Sequence, residues 1–524
     1  MRRLGLVLSL LAACGLAATG TAAAKKVRIV GNDLPLMSGN VSPLLTLPVG
    51  KPVGVRFRDH YMYVTGTDGL TVYDISDPAM PTPVGALPLP HFENEDVDLG
   101  GNTLLISNDP SESPGVLYVI DISNPALPTL KGAMVNGYND GQIEDSVNLL
   151  LDTFGIPAVS SGLPLGIGHT ASCVDKLCHY AYLAGTSRGI EIVDLTDPAN
   201  PHIAGNFVPV NTGVATHDVQ VDGTGLAWIV GYGGTAAYDV TDPLHPKLVA
   251  QNDQKWQNTG EAGLPSIDAP DDPIFHFGHI IGGDGSGPLD FIHHDSLRLG
   301  SVAKPDDPKG TRFELPNGDG FDTLPYKQAA GQTYPSGGNS PVFGIVEEDY
   351  TRPTCQGAGS FQTWGMTDKH TKAGAQQLDL LDEYSTELNK LTTDQSGWSP
   401  VDGLCSAHYF DYRDGIVAGG WYEEGARFLD VRDPTHIRQV GYWVPTKGET
   451  WSVAYAPTDP TGSIVYALDY ARGIDVLKLD RSDLHPRQAP VRRSWLRRPG
   501  QKLTPQQRKA RISRFGWVCR LALA

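Results

Sequence analysis

Beyond its first 24 residues the chain has no apolar run near the length of a membrane span, so its body reads as soluble. It also lacks a Gly-x-Ser-x-Gly elbow, a Walker loop and a dinucleotide fingerprint. The stretch Gly231-Tyr-Gly-Gly-Thr235 opens no helix and reads as a turn between strands rather than a phosphate cradle. Charge is scarce at 19% of residues, but 40% are apolar, which excludes the disordered class. With 6 cysteines among 524 residues, a disulfide framework cannot be what holds the chain together. What is plentiful is Gly, 60 residues, and Pro, 40, the composition of many short elements joined by tight turns.

The net charge of −18 hides an asymmetry. From Arg481 to Ala524 there are 12 basic residues against one acid, so the tail is about +11 and the remainder about −29. An acidic body argues against nucleic acid as a partner. The tail, residues 481–524, reads as a flexible extension, and with Trp495, Phe515 and Trp517 among its arginines it offers peripheral contact with anionic membrane or cell-wall polymer.

Residues 1–24 join a basic start (Arg2, Arg3), an apolar stretch from Leu4 and an Ala-x-Ala site at Ala22–Ala24, which reads as an export signal. Leu11-Ala12-Ala13-Cys14 within it also fits a lipobox, so the two expectations are ordinary secretion and lipid anchoring through Cys14. Export permits disulfides. Cys173 and Cys178 flank a four-residue turn between two strand-like runs, a spacing that a hairpin staple bridges. The pairing of Cys355, Cys405 and Cys519 stays open, with Cys355–Cys405 as one arrangement.

Self-similarity is the strongest signal. "GLTVYDISDPAMPTPVG" (69–85), "VLYVIDISNPALPTLKG" (116–132), "GIEIVDLTDPANPHIAG" (189–205), "TAAYDVTDPLHPKLVA" (235–250) and "GARFLDVRDPTHIRQVG" (425–441) repeat one pattern. "GAQQLDLLDEYST" (374–386) and "GIDVLKLDRSD" (473–483) are weaker copies in the same frame. Each signature reads as the third strand of a unit, stopped by Asp-Pro or Asn-Pro because proline offers no ladder donor and pushes its predecessor out of helical space. Two alternating strands precede it and a fourth follows. Four antiparallel strands in about 45 residues, repeated, make a propeller blade, since each small sheet hides its apolar faces only against its neighbours.

These repeats resemble the LVIVD-repeat family of bacterial and archaeal surface proteins, on a signature nearly spelled by Gly189–Pro201. The expected fold is therefore all-β: a seven-bladed β-propeller of four-stranded blades over residues 25–480. "SPLLTLPVG" (42–50) would supply the missing fourth strand of the last unit and close the ring. Insertions at 133–167 and 251–340 would gather on one face. The resemblance implies an exported or cell-surface binding module, adhesion-like, toward an unidentified surface ligand or protein, with no catalytic residues assigned.

A second reading comes from the inner strands. Aligned by their alternating apolar residues, His217 superposes on His169, His408 and Glu95, and in the fifth unit on His293 by apolar parity or on His294 by its His-Asp dipeptide. Val53 and Trp451 hold the position in the first and seventh units. Equivalent positions at the starts of inner strands share one layer around the axis, so four consecutive blades would turn imidazoles toward a common region. Four nitrogens suit a transition ion, iron or copper, and the alternative function is a metal-dependent oxidoreductase. Carotenoid-cleaving oxygenases, propellers with a four-histidine iron, are similar in that blade-wise placement alone. Glu95 and Glu348 are the carboxylates expected to orient the rings, with Glu347 and Glu449 also available. The competing reading has the histidines bonding across blades through neighbours such as Thr170, Asp218, Asp295 and Tyr409. The pairs Glu347/Glu348 and Glu423/Glu424 read as solvated charge at strand ends, with carbohydrate chemistry there as a third and weaker possibility.

Overall fold

The computed structural model describes residues 36–484 except 90, 92–93, 109–115, 136–158, 161–167, 187, 211, 213–215, 223–224, 232–233, 253–291, 300–310, 315–319, 324–341, 349–358 and 387–404. The export signal with Cys14, the tail beyond residue 484, Cys355 and Cys519 lie outside the described residues, as does most of both insertions.

The described elements are strands, arranged in small antiparallel sheets that follow chain order. Pro52–Arg58, Tyr61–Gly66, Gly69–Asp74 and Thr82–Pro88 form one four-stranded sheet. Asp96–Gly100, Thr103–Ser107, Val116–Asp121 and Thr129–Val135 form the next, and Ala171–Cys173, Tyr180–Thr186, Gly189–Asp194 and His202–Phe207 the one after. Further along, Phe410–Arg413, Ile416–Gly420, Ala426–Asp430 and Arg438–Val444 pair in the same order. Thr450–Tyr455, Ile464–Asp469 and Gly473–Leu479 make three strands of another sheet, and Val41–Leu47, from the other end of the chain, is the fourth.

Between these lies one eight-stranded sheet. Thr216–Val221, Leu226–Gly231, Gly234–Asp239 and Lys247–Asn252 form half of it, and Ile292–Arg298, Val342–Glu348, Ser360–His370 and Gln376–Tyr384 the other half. The outermost strands of the two halves pair in parallel, Ala250 with Gln376 and Asn252 with Leu378. This corrects the frame of one weak repeat. The signature-like stretch at 374–386 is a fourth strand, whereas the other copies occupy third strands. A tight turn at Thr371–Gly374 places it there, because the third strand Ser360–His370 runs on for 11 residues and carries no signature.

The repeat has a local physical basis. Asp74 and Asp77 each accept a backbone N–H two residues on, from Ser76 and Ala79. Asp194 and Asp197, and likewise Asp239 and Asp242, repeat this double turn. The side chains thereby satisfy the backbone where proline ends the ladder. Signature strands open on glycines with positive φ, such as Gly425 at 76° and Gly473 at 116°. A Cβ at Gly473 would stand 2.2 Å from the Leu47 carbonyl oxygen.

The cores lie between successive sheets. Tyr63, Leu70 and Val72 pack with Leu104, Ile106 and Tyr118. Tyr182, Ile190 and Ile192 pack with Ala227 and Ile229, and Trp228 packs with Phe343 and Trp364. Met62 and Val64 in turn pack with Tyr466 and Leu468, from opposite ends of the chain. Each fully buried aliphatic side chain contributes roughly 1.5–3 kcal/mol, and no one sheet keeps that burial alone.

Candidate metal centre

Each inner strand touches the inner strand of the next sheet, and Thr450–Tyr455 touches Pro52–Arg58, so the strand starts converge. Two of the candidate histidines owe their aim to β-bulges. In the strand Thr216–Val221 the ladder pairs Thr216 with Gly231 and Asp218 with Val230, leaving His217 as the extra residue. Ile292–Arg298 does the same, pairing His293 with Glu347 and Asp295 with Val346 around His294. In Thr450–Tyr455 the extra residue is Trp451. A bulge detaches one residue from the alternation of faces and re-aims its side chain. It also makes apolar parity a poor guide across the bulge. Asp218 and Asp295 hold equivalent ladder positions, so His294 is the counterpart of His217.

Four imidazoles meet. His169 and His217 have ring centroids 4.4 Å apart, His217 and His294 4.4 Å, and His294 and His408 4.0 Å. All four are buried. Ligand atoms of His169, His217 and His294 lie within 4.8 Å of one another, and so do those of Glu95, His294 and His408. His293 is not part of this group. Its Nδ1 lies 2.7 Å from the Thr235 hydroxyl, and its ring packs against Trp364.

Burial leaves the rings neutral. It pushes His169 down to about 3 and holds His217, His294 and His408 well below the ordinary imidazole value, with neighbouring imidazoles adding to the effect. Neutral imidazole is the ligating form. Two buried carboxylates flank the group: Glu95 Oε1 is 3.6 Å from His408 Nε2, and Glu348 Oε2 is 3.8 Å from His294 Nε2. Glu348 is fixed from behind by the Tyr422 hydroxyl, which donates to Oε1. His408 Nδ1 faces the Trp451 carbonyl oxygen at 3.2 Å, which turns Nε2 inward.

Cross-blade bonding is made by two of the histidines, His293 to Thr235 and His408 to the Trp451 carbonyl oxygen, and by their neighbours. Asp96 accepts the N–H of Ala171, Asp295 that of Phe410, and the Thr170 hydroxyl accepts that of Val219. His217 Nε2, fully buried, has no hydrogen-bond partner among the described residues. A buried nitrogen in that state is costly unless something binds it. The donor set, neutral imidazoles with carboxylates beside them, suits a first-row transition ion.

Several parts of the site were not legible in the sequence. A second layer of carboxylates lies one step along the inner strands, where burial raises Asp96, lifts Asp218 well above its ordinary value and brings Asp295 up to about 7. Asp96, Asp295 and Arg56 line a cavity of about 40 Å³. Trp451 takes the inner-layer position that its alignment gives it, but Tyr422 and Tyr470, which complete an aromatic wall with it beside His408, carry no sequence signal. Glu347, Glu348 and Glu424 are buried, which overturns their reading as solvated charge: the first two do end the strand Val342–Glu348, but that end is covered, and Glu424 accepts the Thr386 hydroxyl. The expected staple is present as a Cys173–Cys178 disulfide, and Cys405 is also disulfide-bonded.

The LVIVD repeat family matches this chain at residues 50–87, 113–135 and 178–208, and the chain carries LVIVD repeats. No curated protein matches it. Among solved structures it is similar to the β-propeller domain of Cps50 (Swd1) from Myceliophteria thermophila, at 10% identity over 84% of this chain and 100% of that one, TM-score 0.46. It is also similar to the WD40 repeats of RRP9, at 7% identity over 85% and 98%, TM-score 0.43. The periplasmic gluconolactonase PpgL of Pseudomonas aeruginosa is similar at 10% identity over 79% and 87%, TM-score 0.42.

Proposed function

We propose that this LVIVD-repeat chain is an exported seven-bladed β-propeller whose channel holds an iron or copper ion on His169, His217, His294 and His408, and that it acts as a metal-dependent oxidoreductase. Seven blades are supported by the inner strands that begin at Pro52, Asp96, Ala171, Thr216, Ile292, Phe410 and Thr450, each followed by an antiparallel neighbour. Closure by the N-terminal strand is supported by the pairing of Val41–Leu47 with Gly473–Leu479. Export is supported by the Cys173–Cys178 disulfide.

The observation that carries the metal reading is the convergence of the ligand atoms of three neutral imidazoles, His169, His217 and His294, within 4.8 Å of one another, with the His408 ring 4.0 Å from that of His294 and with His217 Nε2 unpaired among the described residues. Iron and copper both accept imidazole ligation and both change oxidation state, which zinc does not. The test is elemental analysis of protein purified without added metal. Stoichiometric iron or copper, lost in His217→Ala, is the expected result. A metal-free protein that also fails to take up either ion on addition would refute it.

A surface-binding role is the second reading, favoured by one observation. Met80 and Leu127 stand exposed at equivalent places in the proline-rich turns of two repeats, and Leu244 stands exposed one residue earlier in the turn of a third. Apolar side chains held out on one motif form a repeated contact surface. Replacing all three by Ser should reduce retention on cells, and undiminished retention would remove this surface from consideration.

A further inference from the structure

We propose that the buried cluster holds two ions, one on His169, His217 and His294 and a second on Glu95, His294 and His408. The inference rests on the metal reading above and divides its four imidazoles between two ions, with Glu95 as a ligand in its own right.

The donors fall into two groups of three, and within each group the ligand atoms lie within 4.8 Å of one another. About three protein ligands, with one position left open, are what a catalytic transition ion takes. One ion on the first group leaves Glu95 and His408 unused. One ion on the second leaves His169 and His217 unused. The groups also differ in kind: the first is three imidazoles, and the second is two imidazoles with a carboxylate. Both sets suit first-row ions that keep a position open.

His294 belongs to both groups and stands between them. Its ring centroid is 4.4 Å from that of His217 and 4.0 Å from that of His408, while that of His169 is 6.5 Å away. The bulge in Ile292–Arg298 sets it there. An imidazole carries two ring nitrogens, so His294 can give one to each ion, and its ring proton leaves to water as the second ion binds. Glu95 and His408 come from sheets far apart in the chain, yet Glu95 Oε1 lies 3.6 Å from His408 Nε2. Neutral rings offer no counter-charge to Glu95, or to Glu348 beside His294, and both carboxylates are buried. A second divalent ion supplies that charge, since buried carboxylates are met by cations or metals.

The test strips the full chain with a chelator and titrates it with copper(II), the divalent first-row ion that such donors bind most tightly. Copper retained after desalting gives the stoichiometry, and electron paramagnetic resonance gives the environment. The wild-type protein should retain two equivalents, and the cupric signal of the first should broaden and lose intensity as the second enters, because the two spins flank His294. Glu95→Gln keeps the side-chain shape without the anionic ligand, and should retain one equivalent with the signal of an isolated ion. One equivalent in the wild-type protein overturns the second ion while leaving the metal reading intact. Two equivalents whose signals simply add, or an unchanged coupled pair in Glu95→Gln, overturn it as well, since the second ion then sits elsewhere or needs no Glu95. A wild-type protein that retains no copper overturns both.

Discussion

The Tyr422 hydroxyl donates a hydrogen bond to one oxygen of the buried Glu348 carboxylate, whose other oxygen lies 3.8 Å from His294 Nε2. Tyr422 holds a φ of 33°, a left-handed conformation that a bulky side chain adopts only when its surroundings compel it. The contact therefore orients Glu348 toward the imidazole cluster at some cost in backbone strain. Tyr422→Phe removes the donor and leaves the ring. Metal affinity should fall by about 10–100-fold, the usual effect of losing a group behind a ligand. Chelator competition measures this, and an unchanged affinity would mean that Glu348 takes no part in holding the ion.

The glycines that open signature strands allow a sharper test of the fold. Gly425 has a φ of 76°, and a Cβ there would lie 2.1 Å from the Trp443 carbonyl oxygen. Gly374 has a similar φ of 84° but open space around it. Gly374→Ala should cost about 1 kcal/mol through backbone strain alone, and Gly425→Ala more than about 3 kcal/mol because the neighbouring strand must also move. Equal costs in urea unfolding would show that the neighbouring strand yields freely.

The blade is readable from sequence because its grammar is local. Asp194, Thr196, Asp197 and Pro198 satisfy or terminate backbone within a few residues, so the pattern survives in isolation. The metal locus is half-readable: recurrence picks out His169, His217 and His408, but the choice between His293 and His294 turns on a bulge, which apolar parity cannot register. Tyr422, Trp451 and Tyr470 come together through packing between sheets, and no spacing in the chain encodes that. The stretch at 374–386 misleads for a related reason. It keeps a signature-like alternation on a fourth strand, where pairing with Lys247–Asn252 demands the same kind of face.

Asp469, fully buried, supplies a pH test away from the imidazoles. Burial raises its carboxyl from 3.8 to about 6, although it accepts the N–H groups of Glu449 and Ala471. The folded protein thus binds this proton more tightly than the unfolded chain does. The stabilisation is fully present below about pH 3.8 and is lost as pH rises through about 6, amounting to about 3 kcal/mol. Asp469→Asn lacks that titration. Its stability relative to wild type, from urea unfolding, should improve by about that amount between pH 4 and pH 7. A difference that does not vary with pH would refute the buried titration.

The Cys173–Cys178 disulfide closes a hairpin of sequence separation 5, whose turn Asp175 already holds by accepting the N–H groups of Leu177 and His179. Closing so short a loop contributes about 2 kcal/mol by restricting the unfolded chain. The hairpin also presses on the preceding sheet, since a Cβ at Gly100 would stand 2.8 Å from the Cys178 nitrogen. His169 lies at the other end of this inner strand and is held independently: its N–H donates to the Ala184 carbonyl, and its own carbonyl accepts the Ser107 hydroxyl. The Cys173→Ala/Cys178→Ala double variant should therefore unfold at lower denaturant, less stable by about 2 kcal/mol, while binding copper with wild-type stoichiometry. Loss of the copper together with the disulfide would show that the hairpin, rather than the bonds at His169 itself, positions that ligand.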